Sequence, residues 1–392
     1  MRSGWCMVAI GTAAHFAYAP RATPAGRSAG QQPPTWALGS TPRLRLGDDA
    51  DPRTTFGDAR VIRTGAGALV VLDGATKQLR LYSDKGAFVQ LLARAGAGPG
   101  ELRRPSLLLH HLDTVRVVEN SPGPQLVHSY RVGRGFLAQE RITPANSPRG
   151  VILQARLSSG QYLAAAGDGK RRVDPTLQDG VAWRDSIRLG VMAAPEGGQI
   201  QWIGTFPNDT RWSFTVPAFG PSPTSQTVAG GSRLVRCASG SQIWIGDSDL
   251  PTIEVYSESG QLIRRVTLPI PSRALNATVL DRLRQRAIAE ANNAAGRLVL
   301  NAFYTKAARP KNAPHFASCL AGVRGDVWIE LYREDPDATT TWLVVGSDGT
   351  MRARVTTPAR FSLQHVSEDA VAGIARDEID AERVEVYTIQ RR

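Results

Sequence analysis

A degenerate repeat constrains the fold of this chain more than any other feature of its sequence. In its two clearest copies an apolar run ends in an acidic residue, a tyrosine follows nine residues later, and a glycine follows four residues after that. Two distant copies share this spacing: Asp73, Tyr82 and Gly86, and Asp247, Tyr256 and Gly260. Strand-and-turn repeats of about 40–50 residues predict a propeller or a β-solenoid, because one such unit cannot bury its apolar face alone.

The strand-like segments group into six repeats, and the 38 glycines and 25 prolines suit many short strands joined by turns. The sixth repeat, from residue 362 to the C-terminus, lacks a fourth strand. The alternating segment 43–46 is its natural donor, since ring closure would remove the unpaired edge of that repeat. The sequence therefore predicts an all-β fold, a six-bladed β-propeller over residues 42–392 that is closed by an N-terminal strand.

One segment departs from the β pattern. Leu280, Leu283 and Ile288 have helical spacing within residues 276–293, and a second apolar run covers residues 298–304. We predict a helical insertion between blades four and five, over about residues 270–312.

The N-terminal region has the features of an exported protein. Residues 1–19 resemble a signal peptide, with Arg2, an apolar run and the small-residue sequence Ala17-Tyr18-Ala19. Residues 20–41 are rich in Pro, Gly, Ala, Ser and Gln, which predicts a disordered linker. No other stretch approaches the ~20 apolar residues of a membrane span. We therefore expect a periplasmic or extracellular protein without a transmembrane segment.

The net charge of +12 and the pI near 10.2 raise the question of nucleic-acid binding. Arginine supplies nearly all of the positive charge, and it is spread over every repeat without a dense basic run. A phosphate footprint would need clustered basic residues. Nucleic acid is therefore not the expected partner. We also expect the protein to be a monomer.

A glycine-rich connector carries a family resemblance. The residues Arg94 to Leu102, RAGAGPGEL, followed by Pro105, resemble the linker of NHL-type repeat propellers. The C-terminal part is similar to bacterial exported proteins known as six-bladed β-propellers, in Val327-Trp328, Asp348-Gly349 and the final strand sequence ERVEVY of residues 382–387. The resemblance implies a fold and an export route. It implies no reaction and no functional residues.

Candidate catalytic groups have structural interpretations as well. Asp73, Glu119 and Asp247 occupy equivalent repeat positions, where an acid commonly accepts hydrogen bonds from its own turn, and we favour that role over metal binding. His110, His111, His315 and His365 fall near predicted innermost strands, yet no H-x-H or H-E-x-x-H spacing exists. No G-x-S-x-G motif, P-loop or dinucleotide fingerprint is present. We predict no cofactor and no metal site.

Cys237 and Cys319 fall on the innermost strands of adjacent predicted blades. In an oxidising compartment they could form a disulfide if their Cα atoms lie within ~7 Å.

In a propeller, the connections from second to third strand and those between blades emerge on the same face. The glycine-rich linker and the helical insertion belong to these connections, and loops held by a rigid scaffold are where binding usually occurs. The predicted contact residues on that face are Arg94, Glu101, Arg104 and Asp249. We predict a binding module for a protein, glycan or small ligand. The alternative is a propeller enzyme, lactonase-like or lyase-like and metal-dependent in some families, that acts at the central channel.

Overall fold

Short strands make up most of the described chain. The computed structural model describes residues 33–391, apart from 48–50, 120–124, 145, 148–150, 168–181, 194–197, 217, 219, 221–223, 229, 290, 292 and 307–309. The predicted signal peptide, residues 1–19, and residues 20–32 of the predicted linker lie outside the described residues. No described helix is long and apolar enough to cross a membrane.

Most strands belong to antiparallel meanders of four, numbered here as meanders 1 to 6. The N-terminal strands are β1 (Thr35–Leu38) and β2 (Leu44–Leu46). Meander 1 comprises β3 (Ala59–Arg63), β4 (Leu69–Asp73), β5 (Gln78–Tyr82) and β6 (Phe88–Ala93). Meander 2 comprises β7 (Pro105–His111), β8 (Thr114–Glu119), β9 (Gln125–Arg131) and β10 (Gly135–Ile142).

Meander 3 comprises β11 (Ile152–Arg156), β12 (Tyr162–Gly167), β14 (Ser186–Met192) and β15 (Ile200–Pro207). A separate three-stranded sheet comprises β13 (Ala182–Trp183), β16 (Arg211–Phe214) and β17 (Thr224–Thr227). Meander 4 comprises β18 (Leu234–Ser239), β19 (Gln242–Asp247), β20 (Thr252–Ser257) and β21 (Leu262–Thr267).

Two helices, α1 (Ala277–Ala289) and α2 (Ala294–Lys306), follow β21. Meander 5 comprises β22 (Phe316–Ala321), β23 (Val327–Leu331), β24 (Thr340–Val345) and β25 (Met351–Thr357). Meander 6 comprises β26 (Phe361–Val366), β27 (Ala370–Arg376), β28 (Glu382–Gln390) and β2, which pairs with β28.

Both faces of each meander are buried, as β4 illustrates. All five of its residues are buried, although side chains of a strand alternate between two faces. Leu69 and Val71 pack in a cluster shared with meander 6, whereas Val70 and Leu72 pack in a cluster shared with meander 2. Meander 1 therefore lies between two other sheets and is covered by apolar side chains on both sides.

The same arrangement repeats along the chain. Each pair of consecutive meanders shares an apolar cluster, in which Trp244 and Trp328 are among the fully buried side chains. The cluster shared by meanders 6 and 1 completes the series. The first strands of consecutive meanders are also in contact, and β26 of meander 6 contacts β3 of meander 1. Small four-stranded sheets packed in this way form a β-propeller-type, all-β fold.

The strand β2 stands where a fourth strand is expected in meander 6. It pairs antiparallel with β28, in register from Leu44 opposite Val386 to Leu46 opposite Val384. Meanders 4 and 6 moreover share a side-chain motif in which a glutamate accepts hydrogen bonds from the tyrosine two residues later and from an arginine of the neighbouring strand. Its members are Glu254, Tyr256 and Arg265 in meander 4, and Glu385, Tyr387 and Arg45 in meander 6.

Residues 20–41 were predicted to form a disordered linker, and within the described part of this segment the strand β1 corrects that prediction. Thr35–Leu38 pairs in parallel with β25 and antiparallel with β28, so that it joins meanders 5 and 6. Trp36 and Leu38 pack against the apolar cluster shared by these meanders. Two apolar side chains in alternate positions are enough to dock a short strand, and the average composition of residues 20–41 concealed them.

Deleting the chain through Gly47 removes β1 and β2, and we expect the free energy of unfolding to fall by at least ~3 kcal/mol. The reason is that Leu46 and the partly buried Trp36 lose their packing while β28 gains an unpaired edge. Thermal and urea unfolding measure the change. A truncation through Gln32, which keeps both strands, is the control, and equal melting of the two truncations would contradict the closure.

The two ends of the meanders differ. The end that carries the connections from second to third strand, and those between meanders, is called here the connection end, and the opposite end the hairpin end. Phe303 of α2 packs on Trp212 and Phe214 of β16, and Arg282 of α1 forms an ion pair with Asp335 in the β23–β24 connection. The helices therefore lie at the connection end.

Cys237 in β18 and Cys319 in β22 form a disulfide between the first strands of meanders 4 and 5, with their Cα atoms 5.9 Å apart. The bridge spans a sequence separation of 82 residues. Constraint of a loop of this length in the unfolded chain stabilises the folded state, by up to ~4 kcal/mol in the chain-entropy account.

Replacing both residues, Cys237→Ser with Cys319→Ser, should lower the free energy of unfolding by about 2–4 kcal/mol. Thiol alkylation and mass spectrometry of the protein recovered from its native compartment should find these two cysteines blocked. The matched control is the unchanged protein unfolded in reductant, in which both should react. Two free thiols before reduction would refute the bridge.

Candidate binding site

A cavity of about 580 Å³ opens at the connection end. Its walls come from four parts of the chain: the start of β3, the half-buried side of α1, the β23–β24 connection, and the β26 and β27 strands with the turn after β27. Leu283 and Ala287 of α1 and Ile374 of β27 supply apolar surface, and most other lining residues are charged. The volume falls within the range that small-ligand sites occupy.

Three lining residues have a backbone conformation that side chains other than glycine rarely adopt. Asp58, Arg360 and Asp380 have φ values of 53°, 56° and 62°. Each lies in a turn beside a strand that borders the cavity, and left-handed φ is less costly for aspartate than for arginine. Such conformations persist only where the surrounding structure holds them, and they are often found at binding sites.

An ion-pair network connects α1 to these turns. Arg286 of α1 lies 2.8 Å from Asp337 and 3.9 Å from Asp380. Arg360 lies 2.6 Å from Asp380 and 3.7 Å from Asp337. Each pair is partly exposed and contributes little alone. Together the four groups hold α1, which forms one wall of the cavity, against the turns that contain Asp337, Arg360 and Asp380.

Arg376 and Glu382 form a further pair at 2.7 Å. Glu382 is well buried, and its second oxygen accepts a hydrogen bond from the Ala59 amide at 2.7 Å. This carboxylate therefore joins the start of β28 to the start of β3.

Gln364 lines the cavity, and its side chain forms hydrogen bonds from meander 6 to meander 1. Its Oε1 accepts a hydrogen bond from the Val61 amide at 2.8 Å, and its Nε2 donates to the Ala59 carbonyl at 3.3 Å. The side chain thus satisfies backbone groups on the otherwise unpaired inner edge of β3. The neighbouring Ser362 is exposed and lines the cavity with it.

Two lining arginines lack a hydrogen bond to a carboxylate among the described residues. The nearest carboxylate to Arg60 is that of Asp58, at 3.6 Å, and Nη1 of Arg60 is buried without a hydrogen-bond partner. Arg333 donates from Nη1 to the Ala338 carbonyl at 2.8 Å and to the Thr340 hydroxyl.

The four residues predicted as contacts do not line this cavity. Arg94 and Glu101 form an ion pair at 2.9 Å inside the glycine-rich linker. Hydrogen bonds from the Gly98 amide and from Arg94 lower the pKa of Glu101. The Arg104 amide donates to Glu119 at 3.2 Å, and Asp249 lies 3.5 Å from Arg184. The structure brings Arg94 and Glu101 together. Arg104 lies at the end of the same linker, where its amide bonds to Glu119 of β8, and Asp249 lies in the β19–β20 connection.

Two of the three equivalent acids at the ends of second strands, Asp73 and Asp247, cap their own turns, as predicted, and the turn after Glu119 lies outside the described residues. Asp73 accepts hydrogen bonds from the amides of Ala75 and Thr76 at 3.1 Å and 3.3 Å, and it also pairs with the buried Arg80. Asp247 accepts from the Asp249 amide.

Glu119 accepts hydrogen bonds from the Arg103 and Arg104 amides, which precede β7. Burial raises its pKa, but the His128 ring, 3.5 Å away, and the hydrogen bonds from these amides outweigh burial, so that the pKa lies below its ordinary value.

Two predicted histidines meet near the axis. The rings of His110 in β7 and His365 in β26 lie 4.8 Å apart, although their meanders are separated by meander 1. Burial lowers the pKa of His365 to about 3, and His110 and Arg63 act in the same direction. Desolvation by the surrounding protein also lowers the pKa of His110. In the described part of the chain no group of three His, Cys, Asp or Glu residues is placed to hold a metal ion.

The lowered pKa of His365 predicts a pH dependence of stability. In the unfolded chain a histidine has a pKa of about 6.5, so between there and pH 3 the unfolded state binds the proton and the folded state does not. Stability should therefore fall as the pH is lowered, by about 2 kcal/mol between about pH 7 and about pH 5 for this group alone. Urea unfolding at each pH measures it.

The variant His365→Asn should lose much of this pH dependence, whatever its absolute stability. The exposed neighbour provides the matched control, because His111→Asn should keep the dependence of the parent. Identical slopes for the parent and His365→Asn would show that His365 is protonated in the folded state.

Comparisons with known proteins bear on the fold alone. No family model matches the sequence, and no curated protein matches it. A solved member of the DUF4221 family from Bacteroides vulgatus is 11% identical, with 92% of this chain and 100% of that chain covered and a TM-score of 0.53. This match supports the β-propeller-type fold, and at that identity it carries no information on activity.

Two further solved structures have lower TM-scores. Virginiamycin B lyase from Staphylococcus aureus is 11% identical, with 88% of this chain and 97% of that chain covered and a TM-score of 0.40. Regucalcin, a calcium-binding protein from Agrobacterium tumefaciens, is 9% identical, with coverage of 92% and 97% and a TM-score of 0.38.

Proposed function

We propose that this protein is an exported six-bladed β-propeller that binds a ligand in the cavity at its connection end. The observation that carries the proposal is the cavity itself. Three meanders and α1 contribute polar and charged side chains that surround a volume of about 580 Å³. Apolar surface from Leu283 and Ile374 lies beside these polar groups. A concave site with a few convergent polar groups is the usual form of a small-ligand site.

Each meander would be one blade. The apolar clusters shared by consecutive meanders, including the cluster of meanders 6 and 1, support a closed ring of six. The strand β2 would be the fourth strand of blade six, and α1 and α2 an insertion between blades four and five. The NHL-like linker around residues 94–105 fits this assignment as a connection between blades one and two.

Export is supported by the signal-like residues 1–19 and by the disulfide between Cys237 and Cys319, since disulfides persist mainly in oxidising compartments. A ligand of the periplasm or the cell exterior follows, whether a small molecule or a terminal group of a glycan or protein. Arg94, Glu101, Arg104 and Asp249 stay predictions for a wider contact surface on the same end.

An enzyme acting in the channel is the second candidate. The contact between His110 and His365 favours it, because both pKa values are lowered and neutral imidazoles can accept protons or bind metals. Chemical turnover of a bound ligand that is lost in His365→Asn would favour the enzyme over the binding module.

A variant that fills the cavity tests the binding site. Ser362 is exposed on the cavity wall, and Ser362→Trp should occupy the space without entering the core. The protein is screened by thermal shift against neutral and acidic sugars and short peptides. A ligand present at 100 times its Kd stabilises the folded state by about 2.7 kcal/mol, and Ser362→Trp should abolish that stabilisation.

The matched control is Ser158→Trp, in which an exposed serine of the β11–β12 hairpin receives the same side chain at the opposite end. This variant should respond to ligand as the parent does. Undiminished stabilisation of Ser362→Trp by every ligand that stabilises the parent would place binding elsewhere and refute the proposal.

A further inference from the structure

The charges that line the cavity do not balance. Five arginines and four acidic residues line the cavity, and three of the four acids already form a close ion pair with an arginine. Asp337 and Asp380 pair with Arg286 and Arg360, and Glu382 pairs with Arg376. Asp58 lies near Arg60 without a hydrogen bond to it. The lining thus carries one more guanidinium than carboxylate. Arg333 has no ion-pair partner among the described residues, and Arg60 has only the looser contact with Asp58 at 3.6 Å.

Arg60 has an unsatisfied donor. Its Nη1 is buried and has no hydrogen-bond partner, and Asp58 at 3.6 Å is beyond hydrogen-bonding distance of the nearer nitrogen. A buried charged donor without an acceptor destabilises the free protein. The Arg60 side chain is 31% exposed, so rotation of its guanidinium toward an acceptor in the cavity would give Nη1 a partner and remove this cost.

Arg333 is held in place by neutral acceptors. The Ala338 carbonyl and the Thr340 hydroxyl both receive hydrogen bonds from its Nη1, so they fix the guanidinium without neutralising its charge. No described carboxylate forms an ion pair with it. The N–H groups on Nε and Nη2 of Arg333 remain able to donate to another partner.

The surrounding ion pairs make the site rigid before a ligand arrives. Arg286 and Arg360 hold α1 to the turns at Asp337 and Asp380, which limits the ordering that binding would require. A guanidinium presents a planar set of donors that matches the oxygens of a carboxylate, sulfate or phosphate group. A neutral ligand would leave the excess charge without a partner.

We propose that Arg60 and Arg333 bind an oxyanion of the ligand, a carboxylate, sulfate ester or phosphate ester, in the cavity. This inference rests on the proposed function, since it names the chemical class that the cavity takes. The concave shape and the volume of about 580 Å³ suit a small acid or an acidic terminal residue of a longer chain.

Four probes of one size test the ligand class. Glucuronate, glucose 6-sulfate and glucose 6-phosphate each carry one oxyanion, and glucose carries none. Binding is measured by titration calorimetry at constant ionic strength. We expect saturable binding of at least one anionic sugar with glucose at least about tenfold weaker, since each charge-assisted hydrogen bond contributes about 1.5–3 kcal/mol. The preferred anion identifies the source of the oxyanion.

Arginine variants test the two residues. Arg60→Gln and Arg333→Gln should each weaken binding of the preferred anionic sugar by about tenfold or more. Arg333→Lys keeps the charge without the planar fork and should bind with intermediate affinity. Arg324→Gln is the matched control, because Arg324 is an exposed, paired arginine at the hairpin end, and its loss should leave the affinity unchanged. Thermal melting establishes that each variant is folded.

The outcomes separate this inference from the proposed function. Binding that Ser362→Trp abolishes, but that Arg60→Gln and Arg333→Gln leave intact, would overturn the assignment of the two arginines and leave the cavity as the binding site. Equal affinity for glucose and the anionic sugars, or no saturable binding of any anionic sugar to the parent, would overturn the ligand class. Anion binding that persists in Ser362→Trp would overturn both.

Discussion

The need to bury both faces of every small sheet governs this structure. A four-stranded meander has two apolar faces, and β4 of meander 1 has no exposed residue on either. Each meander therefore requires a neighbour on both sides, and a row of such sheets is satisfied only when its last member meets its first. The cluster that combines Val61 and Val71 with Ala372 and Val384 is this meeting point. Gln364 adds hydrogen bonds to the inner edge of β3 at the same place.

The N-terminal strands complete the closure by repeating a pattern used elsewhere in the chain. Arg45 contacts Glu385 across β2 and β28 as Arg265 contacts Glu254 across β21 and β20. The repetition means that β2 substitutes for a fourth strand in side-chain chemistry as well as in backbone pairing. The strand β1 extends the junction, because it pairs with meanders 5 and 6 at once.

The sequence predicts regular elements well because their signals are local. The apolar run that ends in Asp247 is observed as the strand β19 (Gln242–Asp247), and the segment with helical spacing at 276–293 contains α1 (Ala277–Ala289). The strand β16 was missed because its four residues lie outside the repeats, although Trp212 and Phe214 alternate with polar neighbours. Local alternation over so few residues is a weak signal until the partner, here α2, is known.

The candidate site could be predicted only as a region. Topology places the loops at one end, but the cavity residues come from the beginning, the later third and the end of the chain, and no spacing motif connects Arg60 with Arg333. They line one cavity because meander 6 packs on meander 1, while Arg286 of α1 pairs with Asp337 and Asp380 at the same junction. Closure therefore shapes the site as well as the core. A ligand that contacts Arg60 on β3 and a group on β26 would hold the first and last meanders together, so ligand affinity and the stability of the closed ring should be thermodynamically linked.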